Sequence, residues 1–166
     1  MFVVLGLGSN RSFDSHSCMD LLSMAIERIG GFVSNLSVSS VYRTAAMYVV
    51  DQEDFYNMVV TGDFEGSPRQ LLDDIHRVES ELGRDRTKEF RNGPRSIDID
   101  IEFYGKERVA EPDLVIPHER IEERAFVLKP LLEIIEKDAD KINADISFLE
   151  KRLEQLADQR VEKLSV

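Results

Sequence analysis

The strongest constraint on the fold of this chain lies in the segment RNGPRSIDIDIEF. Ile97, Ile99 and Ile101 alternate there with polar residues, and a period of two is that of a β-strand with one apolar face. Asp98 and Asp100 share the opposite face, about 6.6 Å apart along the backbone. The segment therefore predicts a strand that buries its isoleucines in a sheet and carries two neighbouring carboxylates on its other face.

The order of the predicted elements extends this constraint to a topology. Hydrophobic periodicity, capping residues and glycines divide the first part of the chain into six elements. They are a strand from Phe2 to Leu7, a helix from Ser17 to Gly30, strands from Val33 to Tyr42 and from Phe55 to Phe64, a helix from Ser67 to Gly83, and the strand described above. This βαββαβ order is typical of a ferredoxin-like α+β fold, in which an antiparallel sheet carries two helices on one face.

Periodicity also predicts which side chains share a face. Phe55 and Asn57 point to one face of the third strand, and Leu36, Val38 and Tyr42 share one side of the second strand. The isoleucine strand should pack beneath the two helices, which leaves its carboxylates on the open face of the sheet.

The last third of the chain is predicted to be a C-terminal extension around an edge or end of the sheet. It contains strand-like residues from Leu114 to Ile116, an apolar run from Phe126 to Ile135, and a helix opened by the capping-box-like SFLE at Ser147. The acidic tail beyond the apolar run is most simply a solvated helix. With no repeat or linker, residues 1–166 are expected to form a single domain.

An excess of negative charge limits the partners of the protein. Its 32 acidic and 21 basic residues give a formal net charge of −11, which disfavours non-specific binding to nucleic acid or to an anionic membrane. No apolar run reaches the ~18 residues of a membrane span, and the single Cys18 cannot form an internal disulfide. We therefore expect a cytoplasmic monomer whose partners are small molecules.

Positive charge is nevertheless concentrated just before the aspartate strand. The basic residues between Gly83 and Ile97 are Arg84, Arg86, Lys88, Arg91 and Arg95, against only Asp85 and Glu89. Such a patch suits a small phosphorylated ligand, and a solvated loop of mixed charges is the alternative.

Two carboxylates beside an arginine-bearing Gly-Pro turn favour metal and phosphate chemistry. Mg²⁺ takes oxygen ligands and completes its shell with water and substrate phosphates, while guanidinium groups bind the remaining phosphate oxygens. The alternative for Asp98 and Asp100 is a strand that merely wets one face. The GLGSN segment does not complete a dinucleotide fingerprint, because Arg11 stands where the third glycine belongs, and the sequence contains no P-loop.

Five motifs, in this order, resemble the 6-hydroxymethyl-7,8-dihydropterin pyrophosphokinases of folate biosynthesis. They are LGLGSN, VYRTAAMYVVDQEDFYN, ESELGRDR, NGPRSIDIDIEFYG and LVIPHERIEERAFVLKPLLEI, and they extend from about Phe2 to Ile135. The pattern GPRxxDxDI with a downstream PHxxxxxRxFVLxPLxEI is highly specific. The resemblance implies a ferredoxin-like, Mg²⁺-dependent transferase with two metal ions, which moves a pyrophosphoryl group from ATP to the hydroxymethyl group of the pterin and releases AMP.

The resemblance also implies roles for individual residues. Asp98 and Asp100 would hold the metal ions, and Arg84, Arg95 and Asp100 would be catalytic, with Asp100 also helping to receive the hydroxyl proton. The implied ATP contacts are His76, Glu79, Arg84, Arg86, Arg91, Arg95, Ile101, His118 and Arg124. The implied pterin contacts are Thr44, Ala45, Met47, Phe55, Asn57 and Phe126, with the two phenylalanine rings on either side of the pterin.

The chain departs from the family pattern in three loops. Ala46 and Tyr48 replace a proline and glycine pair, Asn92 replaces an aromatic residue before the GPR turn, and Asp113 and Val115 replace a basic and a hydroxyl residue. Two alternatives therefore stay open. One is a nucleotide-binding ferredoxin-like module of this family that has lost the reaction, and the other is a transferase acting on a related heterocyclic alcohol.

Overall fold

A six-stranded antiparallel sheet forms the centre of the fold. The structure is a computed structural model and describes residues 1–44, 53–85, 87–88 and 93–164. Its strands are β1 (Phe2–Ser9), β2 (Ser34–Val38), β3 (Tyr42–Thr44), β4 (Phe55–Asp63), β5 (Asp98–Tyr104), β6 (Val109–Glu111), β7 (Leu114–Ile116) and β8 (Val161–Lys163). The sheet order is β5-β1-β4-β3-β8, with β2 beside the other half of β4, and β6 and β7 form a separate hairpin.

Two helices, α1 (Cys18–Ile29) and α2 (Pro68–Glu81), pack on one face of this sheet. Each begins at the predicted serine, because Ser17 and Ser67 form capping boxes that satisfy the first free N–H groups. Their buried leucines and isoleucines join Ile97, Ile99 and Ile101 in a common core. The ferredoxin-like fold class is therefore confirmed. Among the described residues, no helix combines the length and the apolarity that crossing a bilayer requires.

The predicted second strand is divided into β2 and β3, and its face assignment was wrong. Leu36 packs toward the helices, Tyr42 joins the core on the opposite face, and Val38 is 47% exposed. Ser39 explains the break, since its backbone N–H bonds to Val59 and its hydroxyl accepts the Val59 N–H at 2.9 Å. A side chain thus takes the place of a backbone partner, and the alternation of faces restarts beyond it.

The C-terminal third adds β8 at one edge of the sheet, as predicted, and also covers much of the second face. Helix α3 (Ala125–Ile134) packs across β3, β4 and β8, and its apolar residues form a second core with Val4, Val59 and Phe103. Coverage of the second face was not predicted, because an apolar run indicates burial but does not show which surface it will pack against. Asp98 and Asp100, on the second face, stay 27% and 32% exposed and are accessible to a ligand.

The acidic tail is not a solvated helix. Helix α4 (Ile146–Gln155) buries Leu149 in the second core, and the chain then returns as β8 to pair with β3. The cap of α4 is Asp145, whose carboxylate accepts the N–H groups of Ser147 and Phe148, so the predicted start at Ser147 was late. The tail therefore completes both the core and the sheet.

We expect Tyr42→Phe to destabilise the protein by about 1.5 kcal/mol, the scale of a hydrogen bond to a charged group. The Tyr42 hydroxyl donates to Glu133 of α3 at 2.6 Å, and the other oxygen of Glu133 accepts the backbone N–H of Ser40. This carboxylate therefore ties α3 to the strand beneath it. Urea denaturation of both proteins would measure the difference in the free energy of unfolding.

Tyr56→Phe is the matched control, since the half-buried Tyr56 has no hydrogen bond through its hydroxyl within the described chain. Equal losses in the two variants would contradict the role given to the Glu133 bond.

Candidate active site

Strand β5 places Asp98 and Asp100 on the second face of the sheet, as predicted. Ile99, between them, lies in the helix-side core and is 4% exposed. On the neighbouring strand, Gly8 pairs with Asp98 and Gly6 with Asp100, so no β1 side chain stands beside either carboxylate. The isoleucines anchor the strand, and the side chains of Glu102 and Asn57 occupy the space above Gly6 and Gly8.

Asp98 is surrounded by positive charge. Arg84 Nη1 lies 2.7 Å from its Oδ1, and Arg95 Nη1 lies 3.4 Å from its Oδ2. Two of the predicted catalytic arginines therefore converge on one metal-ligand candidate. Guanidinium groups in this position suit a ligand whose phosphate oxygens approach the same carboxylates.

Asp100 is less well neutralised than Asp98. Its contacts with positive or ionisable groups are longer, 3.4 Å to Arg124 Nη1 and 3.8 Å to His118 Nε2. Burial, together with the negative charge of Asp98, raises the pKa of Asp100 to about 7. The environment of Asp100 therefore opposes its ionisation, whereas Asp98 is held between two arginines.

Glu79 holds the side chain of Arg84 in place. It lies in the last turn of α2, is 1% exposed, and its Oε2 accepts both Arg84 Nη1 at 2.5 Å and the Ile99 N–H at 2.9 Å. Gly83, with φ at 94°, turns the chain out of the helix so that Arg84 can reach back. Glu79 therefore joins α2 to β5, and its implied contact with ATP stays a prediction.

The Gly-Pro turn before β5 is held by a residue that sequence reasoning left without a role. Asn10 follows β1 and is buried; its side-chain oxygen accepts the Arg95 N–H at 2.8 Å, and its own N–H donates to the Arg95 carbonyl at 3.1 Å. The GLGSN segment thus positions Arg95. Its only sequence signal was an asparagine directly after a glycine-rich strand end.

His118 and Arg124 reach the site from the loop between β7 and α3. His118 Nδ1 accepts the Arg120 N–H at 3.1 Å, so its proton is carried by Nε2, which faces Asp100. Burial and the nearby Arg124 lower the pKa of His118 to about 4, and the imidazole is neutral near pH 7. The Arg124 guanidinium also lies 5.6 Å from the centre of the Phe126 ring.

The candidate pterin residues come from adjacent elements. Thr44 pairs with Phe55 at the end of β3, and Asn57 lies on the same face of β4 as Phe55. Asn57 leans over Gly8, and its Nδ2 has no hydrogen-bond partner among the described residues. The amide is therefore free to bind a polar ring edge.

A cavity of about 520 Å³ opens beside Arg84, and its volume suits a small-molecule ligand. Its lining consists of His76, Glu79, Ser80, Gly83, Arg84 and Asp85. Three residues of the implied ATP site therefore share one cavity. The Ile101 side chain is instead 5% exposed in the core, so any contact with a nucleotide would use its backbone.

Several predicted residues lie outside the described part of the chain. These are Ala45, Met47, Arg86 and Arg91, together with the altered positions Ala46, Tyr48 and Asn92.

One altered position has a structural role. Asp113 and Glu111, in the β6–β7 hairpin, both bind Arg69 of α2 at 2.7 Å.

Together, these contacts define a ferredoxin-like protein with an acidic pair and converging arginines at one end of its sheet. Among the described residues, no group of three or more His, Cys, Asp or Glu side chains could hold a metal ion by themselves. A cation at the Asp98 and Asp100 pair would therefore draw further ligands from water or substrate. This is the class of site that binds polyphosphates with a divalent cation.

Comparison with known proteins agrees with this class. A model of the 7,8-dihydro-6-hydroxymethylpterin-pyrophosphokinase family matches residues 4–136. A 2-amino-4-hydroxy-6-hydroxymethyldihydropteridine pyrophosphokinase of Haemophilus influenzae is 32% identical over 163 residues, covering 97% of this chain and 96% of that protein. The mitochondrial folate synthesis bifunctional protein of Pisum sativum is 39% identical over 148 residues, covering 88% of this chain and 28% of that protein.

Solved structures show the same fold. A crystal structure of Plasmodium falciparum HPPK-DHPS with pterin and p-hydroxybenzoate matches with a TM-score of 0.65 at 16% identity, covering 95% of this chain and 44% of that chain. The chain belongs to the 7,8-dihydro-6-hydroxymethylpterin-pyrophosphokinase family. The family resemblance found in the sequence is thus confirmed, and the chain spans less than a third of the length of the plant bifunctional relative.

Proposed function

We propose that the protein transfers a pyrophosphoryl group from ATP to the hydroxymethyl group of 6-hydroxymethyl-7,8-dihydropterin and releases AMP. Membership of the family supports this activity. The observation that carries it is the convergence of Arg84 and Arg95 on Asp98, next to the under-neutralised Asp100. A polyphosphate bound with a cation would complement all four side chains, since its oxygens would bind the two arginines and the cation would bind the two aspartates.

In this reaction the pterin hydroxymethyl oxygen attacks the β-phosphorus of ATP. The bond between that phosphorus and the oxygen bridging it to the α-phosphate breaks, and AMP leaves with the electron pair. Asp100 receives the hydroxyl proton, while Arg84 and Arg95 bind the phosphates and stabilise the charge that spreads over them. Phe55, Asn57 and Phe126 hold the pterin so that its hydroxyl points at the phosphate.

The donors at the acidic pair fit Mg²⁺. Asp98 and Asp100 supply hard oxygen ligands on one face of β5, and their side chains are 27% and 32% exposed, so water and phosphates can reach them. We propose that these two aspartates hold two ions. Bound Mg²⁺ would neutralise phosphate oxygens and make the phosphorus more electrophilic.

The direct test is to incubate the protein with ATP, Mg²⁺ and 6-hydroxymethyl-7,8-dihydropterin and to separate the nucleotides by chromatography. AMP should form only when all three are present. ADP as the sole nucleotide product would contradict the proposal, and binding of an ATP analogue without turnover would favour a module that has lost the reaction. AMP formed with a related heterocyclic alcohol, but not with this pterin, would identify a different transferase.

Gly8→Ala should weaken pterin binding. A Cβ at Gly8 would lie 2.7 Å from Asn57 Oδ1, so the amide proposed to read the pterin must move. A displacement of a substrate-positioning group by about 1 Å can lower a rate 100-fold. Because the displaced amide is proposed to bind the pterin, we expect the KM for the pterin to rise by at least about tenfold. Steady-state kinetics with each substrate varied in turn would measure this.

Gly31→Ala is the control, because Gly31 is exposed at the end of α1, far from this strand. An unchanged pterin KM in Gly8→Ala would show that Asn57 does not read the substrate.

A further inference from the structure

The active-site end of the second face contains a buried carboxyl group that the proposed reaction does not use. In the ladder between β1 and β5, Leu5 pairs with Ile101 and Val4 with Phe103, so Glu102 is an extra residue that forms a bulge. Its side chain turns toward the second face and lies over Gly6, where a Cβ would come within 2.5 Å of Oε1.

Glu102 is 1% exposed. Within the described chain, neither carboxylate oxygen has a hydrogen-bond partner. A buried carboxyl without a partner is costly, so its presence points to a contact made in another state of the protein.

Arg124 offers the complementary group. Its Nη1 lies 3.4 Å from Asp100, but its buried Nε has no hydrogen-bond partner in the part of the chain that is described. Glu102 and Arg124 both border Asp100, since Glu102 lies over Gly6, the strand partner of Asp100, and Arg124 contacts the Asp100 carboxylate. An unused donor and two unused acceptors therefore lie in the same buried region.

We propose that Glu102 is the alternate partner of Arg124, which takes the Nε–H of Arg124 when a cation and its polyphosphate ligand engage Asp100. Arg124 then keeps its orientation through Nε, and its two terminal nitrogens are presented to the phosphates. Glu102 is a positioning residue in this arrangement, since it acts through Arg124. The inference rests on the proposed function, because it needs a ligand that occupies the acidic pair.

The test compares Glu102→Met and Glu102→Gln with the wild-type chain in two measurements. One is the melting temperature without ligand, and the other is the affinity for a non-hydrolysable ATP analogue with Mg²⁺, by titration calorimetry. Glu102→Met should melt at the same or a higher temperature, because it removes a buried unpaired carboxyl. It should bind the analogue about tenfold more weakly, the scale seen when a supporting partner is lost.

Glu102→Gln retains an oxygen that can accept the Arg124 Nε–H and should recover part of the affinity. In an Arg124→Met background, Glu102→Met should have little further effect on binding, since the two residues act as a unit. Glu27→Met, on the exposed side of α1, is the control and should change neither quantity.

A fall in both melting temperature and affinity for Glu102→Met would instead indicate a purely structural residue. Unchanged affinity, or additive losses in the Arg124→Met background, would also overturn the inference while leaving the proposed function standing. Absence of analogue binding by the wild-type chain would overturn both.

Discussion

Replacing Asp100 with asparagine is expected to reduce AMP formation by about 1000-fold or more, the scale on which removing one charge-stabilising group acts. The substitution keeps the shape of the side chain but removes the charge that would hold Mg²⁺ and accept the hydroxyl proton. The measurement is the turnover number at saturating ATP and pterin with Mg²⁺ in excess.

The same variant should be at least as stable as the wild-type protein. Burial and Asp98 both oppose ionisation of Asp100, so a neutral side chain relieves repulsion that the nearest arginine, at 3.4 Å, only partly offsets. Asp73→Asn, on the exposed side of α2, is the control and should keep full activity. If Asp100→Asn kept near-normal turnover with Mg²⁺, the assignment of Asp100 would be wrong.

Arg84→Ala should damage both activity and stability. We expect a loss of about 1000-fold in turnover, because the guanidinium is proposed to bind the transferring phosphates. We also expect a loss of about 3 kcal/mol in the free energy of unfolding, the scale for breaking a buried ion pair. The side chains of Arg84 and Glu79 are only 7% and 2% exposed, so their ion pair is largely shielded from solvent.

Two variants separate these effects. Arg95→Ala removes a more exposed guanidinium with a longer contact to Asp98, and should lose activity with little change in stability. The double variant Glu79→Leu and Arg84→Met should regain part of the stability but none of the activity, since apolar residues can replace a buried pair while the Ile99 N–H loses its acceptor. Recovery of turnover in the double variant would remove Arg84 from the catalytic set.

The parts of the fold that depend on local pattern were predictable. Ser17 and Ser67 begin their helices because capping depends on residues within one turn, and Ile97, Ile99 and Ile101 reach the core because a strand alternates its side chains. The face assignment of the second strand was wrong because it relied on the same local alternation. Its alternation is interrupted by a hydroxyl group bonding to a distant backbone N–H, which no local pattern signals.

The candidate site was predictable as a set of residues but not as a set of contacts. The motif order identified Asp98, Asp100, Arg84 and Arg95, and the structure brings these side chains together on one face. Asn10, Glu102 and the neutral state of His118 were not foreseen, since each depends on groups far away in the chain. The type of a residue does not show whether its side chain will be buried. Burial, however, shifts its pKa and makes an unsatisfied polar group costly.

By itself, the sequence determined the family, the βαββαβ core and the side of β5 that carries the two aspartates. Only the tertiary structure decided that α3 covers part of the same face, that Asn10 holds the GPR turn, that Arg124 contacts Asp100, and that Glu102 is buried. The physical reason is range. Periodicity, capping and turn chemistry act over a few residues and can be read locally, whereas pairing between charges depends on how distant segments pack.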